Sequence, residues 1–223
     1  MLKLASEVTL YYMKNLTSKY IQFIPTLLFI IFTLSVSFKL KWINLFDCML
    51  SLKPNKFELY FFENWTKIGN STPFTVITAI IVIYLILKKH WNYAGFFLAN
   101  VIIGINLNHI IKIIIKRPRP INKLIEIGGY SFPSGHAIAS VLLFGSLIII
   151  SNSYIKTYKN KIVTNLFLFI CLFLLAISRI FLNVHYPSDV VAGLLLGIIV
   201  LQFDYMIFIK EFRTKHVKKR NAI

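Results

Sequence analysis

Six long apolar runs, parted by short polar stretches, organise the chain: about Ile21–Phe38, Ile68–Leu87, Tyr93–Ile111, Ala137–Ser151, Ile162–Leu182 and Val190–Ile209. Most approach the ~20 residues a helix needs to cross a bilayer's hydrocarbon core. The second and fourth are shorter in their strongly apolar part and are extended by small or polar residues. Several runs are rich in Ile and Val, which in water would favour strands. In lipid the backbone must satisfy its own hydrogen bonds, so the pattern predicts helices. Between the first two runs, Lys39–Lys67 carries Trp42, Phe46, Phe57, Tyr60, Phe61, Phe62 and Trp65. Aromatic rings with polar neighbours suit the headgroup layer. The stretch reads as an outer interfacial loop of one or two surface helices walling a site, with a turn at Pro54-Asn55. The expected fold is all-α: a single polytopic membrane domain over 1–223 with six transmembrane helices.

Composition agrees. The chain is 57% hydrophobic, and its mean hydropathy is +0.70. A formal net charge of +17 would fit nucleic acid, but the basic residues sit between apolar runs and in the tail, where anionic lipid headgroups attract them. No soluble basic domain is left for a duplex, so no nucleic-acid partner is expected. Cys48 and Cys171 form no CxxC and read as free thiols. The N-terminus lacks the small-residue cleavage site of a signal peptide. With six spans, both termini share one side, and Lys3, Lys14, Lys19, Lys88-Lys89, Lys156, Lys159, Lys161 and the six basic residues of the tail put fourteen of the 25 basic residues there. The positive-inside rule puts that side in the cytoplasm and the polar clusters described next on the outer face of a plasma membrane.

Three polar clusters edge the spans. The first runs from Lys112 through Lys116-Arg117-Pro118 to Arg119-Pro120. The prolines disfavour helix at Arg117 and Arg119, giving a stiff turn that aims Arg119. Arg offers a planar fork for two phosphate oxygens, and Lys a point charge. In the second, Pro133-Ser134-Gly135-His136, Ser134 is a preferred helix cap and Gly135 permits close approach. A helix start holds free N–H groups ready for an anion. In the third, Ser178-Arg179 is followed by His185 and Asp189, with Pro187 and Asp189 suited to the first turn of a helix. Asp189 can reach back to one ring nitrogen of His185, leaving the other as nucleophile or base. Lys112, Arg119, Arg179 and the Ser134 helix start thus converge on an anion, while His136 and His185 supply proton-active groups. Three nearby cations would repel a divalent metal, so no metal is expected. His109, one turn before Lys112, is assigned a packing or supporting role that can face the site. His90 and His216 read as cytoplasmic surface groups, and Asp204 as a partly solvated interface residue.

At these residues the chain resembles the type 2 phosphatidic acid phosphatase family, membrane relatives of vanadium haloperoxidases. The family pattern is Lys, six residues, Arg-Pro; Pro-Ser-Gly-His; and Ser-Arg, five residues, His, three residues, Asp. Here it appears as Lys112…Arg119-Pro120, Pro133–His136 and Ser178-Arg179…His185…Asp189, all within 112–189. Ile68-Gly69-Asn70 is also similar, more weakly. The resemblance implies an acid phosphatase/haloperoxidase-like helical bundle and a metal-independent, cofactor-free phosphatase. It implies that His185 attacks phosphorus to form a phosphohistidine, Asp189 orients it, and His136 protonates the leaving group and then activates water. Lys112, Arg119, Arg179 and Ser134-Gly135 would hold the phosphate oxygens. Expected substrates are lipid phosphates: undecaprenyl diphosphate, phosphatidylglycerophosphate or phosphatidic acid. The alternatives are a lipid phosphotransferase of the same family and a membrane anion transporter. The transporter would need polar residues deep in several spans, where the sequence offers little beyond Asn100, Asn106 and Asn108.

Overall fold

A computed structural model describes residues 19–210. The positions of Lys3, Lys14, His216 and the basic tail, on which part of the orientation argument stands, lie outside the described residues. All regular structure among the described residues is helical. Helix α1 (Lys19–Ser37) turns into the short α2 (Lys41–Met49), and α3 (Lys56–Trp65) leads through a 3₁₀ turn at Thr66–Gly69 into α4 (Ser71–Leu87). The remaining helices are α5 (Trp91–Ile115), α6 (Gly135–Tyr154), α7 (Tyr158–Phe181) and α8 (Pro187–Ile209). These four are each long and apolar enough to cross a membrane, and the count rises to six if α1 with α2, bent by 103°, and α3 with α4, bent by 53°, are each taken as one span.

The Lys39–Lys67 stretch forms two helices, α2 and α3, as expected. Asn55 closes the start of α3 by accepting the Glu58 N–H at 2.9 Å, while Glu58 accepts the Asn55 N–H at 2.8 Å. Several expected boundaries shift, among them the end of the third span, at Ile115 and not Ile111, and the start of the fifth, at Tyr158 and not Ile162. The second span begins at Ser71 and not Ile68, because Ile68 and Gly69 belong to the 3₁₀ turn. The fourth reaches Tyr154, because Ser151 and Ser153 turn their hydroxyls back onto the carbonyls of Ile148 and Ile149 and so travel in a helix without exposing an unpaired group.

The bundle is greasy outside as well as inside. Ile102, Ile110 and Ile114 of α5 and Phe167, Phe169 and Phe173 of α7 are exposed, a surface that lipid covers. Inside, small residues bring helices close. A Cβ at Gly193 of α8 would lie 2.6 Å from the Ser134 carbonyl oxygen, and one at Gly197 2.7 Å from Val141 Cβ.

Two expectations are corrected. Asp204 is not partly solvated: it is 0% exposed, and neither carboxylate oxygen has a hydrogen-bond partner among the described residues. Phe208, one turn further on, lies against Gly95, which draws the start of α5 over this part of α8. His109 is not packed inside the bundle. It is exposed, because the buried stripe of α5 runs through Phe97, Asn100, Val101 and Gly104 and leaves position 109 off that face.

Candidate active site

The polar clusters meet at one end of the bundle. Lys112 lies in the last turn of α5, and Lys116, at φ 49°, ends that helix ahead of the proline-stiffened loop. Ser134 caps α6, with its hydroxyl 3.5 Å from the Ala137 N–H. Arg179 lies in the last turn of α7. Pro187 and Asp189 occupy the first turn of α8. The starts of α6 and α8 are tied directly: the Ser134 N–H donates to the Asp189 carbonyl at 2.9 Å. All the nominated residues therefore come to the same end of the molecule.

His185 is 3% exposed. Its Nε2 lies 3.0 Å from Arg119 Nη1. A guanidinium can only donate, so Nε2 presents its lone pair and the ring proton sits on Nδ1. That nitrogen faces Asp189 Oδ2 at 3.4 Å. Burial, and then the charges of Arg179, Lys112 and Arg119, push the His185 pKa well below its ordinary value. At neutral pH the ring is uncharged, the form a nucleophile requires.

Asp189 is completely buried. Its Oδ2 also accepts the Tyr186 N–H at 2.9 Å, closing the start of α8, and its Oδ1 accepts from Arg117 Nη1 at 2.6 Å. Arg117 stacks on the Tyr186 ring, 4.1 Å from its centroid, and donates through Nη2 to Asp47 Oδ2 at 2.6 Å. Burial works against the Arg117 charge, but Asp189 and Asp47 outweigh it and hold its pKa above the usual value.

The expected phosphate ligands differ in what they already hold. Lys112 Nζ donates to the carbonyls of Tyr130 at 2.7 Å and Ser131 at 3.3 Å. Arg119 Nε donates to those of Gly128 and Gly129, each at 3.1 Å, and its Nη1 to that of Val184 at 2.8 Å. Both cations are thereby fastened to the loop between α5 and α6. Arg179 is different. It is 1% exposed, its Nη1 donates to Thr66 Oγ1 at 2.6 Å, and its Nε and Nη2 have no partner among the described residues. A buried cation with unpaired donors calls for an anion. Across from it, His136 Nε2 lies 3.2 Å from Asn70 Oδ1. Gly69 leaves room for that ring, since a Cβ there would come within 2.5 Å of His136 Cδ2. The charges of Arg179 and Arg119 and the ring of His185 all act on His136. A cleft of about 690 Å³ opens beside the site between the α1–α2 corner, the Lys116–Pro118 loop and the α7–α8 connection, and Asp47, Cys48, Arg117 and His185 line it.

Sequence reasoning missed Asp47 and Thr66, and it counted Arg117 only as part of a basic run. Asn70 was noted without a partner. All four reach the site through contacts between distant segments.

Fold and site together define a helical membrane protein that gathers cations and imidazoles at one end of its bundle. The chain belongs to the PAP2 superfamily, whose profile matches residues 89–213. It is 31% identical over 115 residues to phosphatidylglycerophosphatase B of Bacillus subtilis, covering 49% of this chain and 56% of that protein. It is 28% identical over 134 residues to lipid A 4'-phosphatase of Bacteroides thetaiotaomicron, covering 52% of this chain and 56% of the relative. The matches thus span little more than half the length of these relatives. Among solved structures, it is similar to a transmembrane PAP2-type phosphatidylglycerolphosphate phosphatase from Bacillus subtilis. That likeness has a TM-score of 0.63 at 22% identity over 86% of this chain and 97% of that one, and it carries the fold.

Proposed function

We propose that the chain is a membrane lipid phosphatase that cleaves a lipid phosphate ester or diphosphate through a phosphohistidine on His185. The observation that carries this reading is the buried Arg179 guanidinium, whose Nε and Nη2 have no partner among the described residues, at the same end of the bundle as a His185 whose Nε2 presents its lone pair. A phosphate group satisfies the first, and its phosphorus then stands before the second. Arg119 leaves Nε2 for the phosphate oxygens. His185 Nε2 attacks the terminal phosphorus, its P–O bond to the lipid oxygen (or, in a diphosphate, to the inner lipid-linked phosphate) breaks, and His136 protonates the departing oxygen. Asp189 stabilises the charge that develops on the imidazole. Water, giving its proton to His136, then breaks the P–N bond and frees inorganic phosphate. Arg179, Lys112, Arg119 and the Ser134-Gly135 helix start hold the equatorial oxygens, where charge must be neutralised.

The two relatives are named for lipid phosphates, and this chain offers its gathered cations and imidazoles to a headgroup at the end of a lipid-facing bundle. The proposed site faces outward from the plasma membrane, both termini lie in the cytoplasm, and 1–223 act as one domain. The test is phosphate release by purified protein from undecaprenyl diphosphate, phosphatidylglycerophosphate and phosphatidic acid with EDTA present. Release of inorganic phosphate from at least one, unaffected by EDTA, is expected. Turnover that needs added metal, or transfer of phosphate to an acceptor without release, overturns the reading.

A further inference from the structure

Asp47 lies on α2, outside the 89–213 stretch that matches the family profile, yet it begins a chain of charge that ends on His185. Its carboxylate is 7% exposed and has three donors. Arg117 Nη2 and the Ser188 hydroxyl reach Oδ2 at 2.6 and 2.9 Å, and the Ser188 N–H reaches Oδ1 at 2.8 Å. Arg117 holds Asp189 through its other terminal nitrogen at 2.6 Å, and Asp189 faces His185 Nδ1. The position follows from the fold. The sharp bend after α1 lays α2 across the site end of the bundle. Ile43 clusters there with Val36, Phe132 and Ala192, and Asp47 is one turn further along the same face.

We infer that Asp47 is a positioning residue for the reaction proposed above, on which this inference rests. A guanidinium shared by two carboxylates gives only part of its charge to each. With Asp47 in place, Asp189 keeps enough negative charge to support the imidazolium that forms as His185 attacks. Without it, Arg117 turns fully onto Asp189 and quenches that charge. The same carboxylate holds the backbone beside Asp189, so it sets the orientation of the first turn of α8 as well. Burial separates this contact from a surface ion pair, which contributes little: removing one partner of a buried pair leaves the other uncompensated.

The test uses the purified full chain with the best lipid substrate from the panel, comparing wild type, Asp47→Asn, Asp47→Glu, Arg117→Lys and the double variant Asp47→Asn/Arg117→Lys, with Tm measured for each. Asp47→Asn is expected to lower kcat by about ten- to a hundredfold, in line with a lost bond to a charged group, while KM stays near the wild-type value. Asp47→Glu should recover part of that loss. In the Arg117→Lys background the Asp47→Asn loss should shrink, because both residues act through one carboxylate. A wild-type kcat in Asp47→Asn overturns the inference. So does a loss of the same size in both backgrounds that tracks a fall in Tm, which would make Asp47 a prop for α2 alone. A wild-type protein that releases no phosphate from any lipid removes the phosphatase reading first, and shows itself before any Asp47 variant is compared.

Discussion

Arg179 shows how a single side chain can state what a pocket is for. Its guanidinium is buried with one nitrogen on Thr66 and two without a partner among the described residues, the donors that the proposed phosphate would take. Thr66 aims that fork. Thr66→Val keeps the shape of the side chain and removes the acceptor, so kcat/KM for lipid phosphate should fall about tenfold, the lower end for a bond to a charged group. Thr66→Ser should stay near wild type. Unchanged kinetics in Thr66→Val would show that packing alone aims Arg179. Residues of this kind divide by how far away their partners lie. Lys112, Arg119, Ser134 and Asp189 were legible as candidates because their sequence neighbours, prolines and helix caps, set their local geometry. Thr66 stands 113 positions from Arg179, and Asp47 70 from Arg117. No local period marks such pairs. One signal was available: the chain has 8 acidic residues against 25 basic ones, so an aspartate among the aromatics of the Lys39–Lys67 stretch called for a cationic partner.

Among the elements, α6 and α8 carry the site between them. The Ser134–Asp189 backbone bond joins their first turns, and Gly193 permits the approach by placing no side chain against the Ser134 carbonyl. Gly193→Ala puts a methyl 2.6 Å from a backbone oxygen, which cannot rotate away. The helices must part, at an expected cost of about 1–3 kcal/mol, seen as a lower Tm together with lost activity as His136 and His185 separate. A Gly193→Ala protein with unchanged Tm and turnover would contradict this account of the interface. The helical nature of each run was legible because lipid leaves the backbone no alternative. The break after α1 was legible as the step from the first run to a surface helix, whereas the 3₁₀ turn at Thr66–Gly69 was not, because Ile68 reads as the start of the next apolar run. The burial of Asp204 escaped notice for a related reason: a single carboxylate near a span end looks solvated until the start of α5 is seen lying against Phe208.

Over the whole molecule, orientation decides which leaflet presents the substrate. Cys48 is exposed at the site end, whereas Cys171 is buried, so a membrane-impermeant maleimide has one accessible target among the described residues. Intact cells expressing the chain should be labelled at Cys48 from outside. Labelling only after permeabilisation would turn the site towards the cytoplasm. Whichever way it faces, the fold brings stretches far apart in sequence together, and the proposed reaction has an uncharged imidazole there meet a phosphate held by fixed cations. Trapping the covalent intermediate tests that claim most directly: rapid quenching with lipid radiolabelled in its phosphate, followed by peptide mapping. The account predicts acid-labile, base-stable label on His185, absent from His185→Ala. Label on another residue, or turnover persisting in a folded His185→Ala protein, would contradict it.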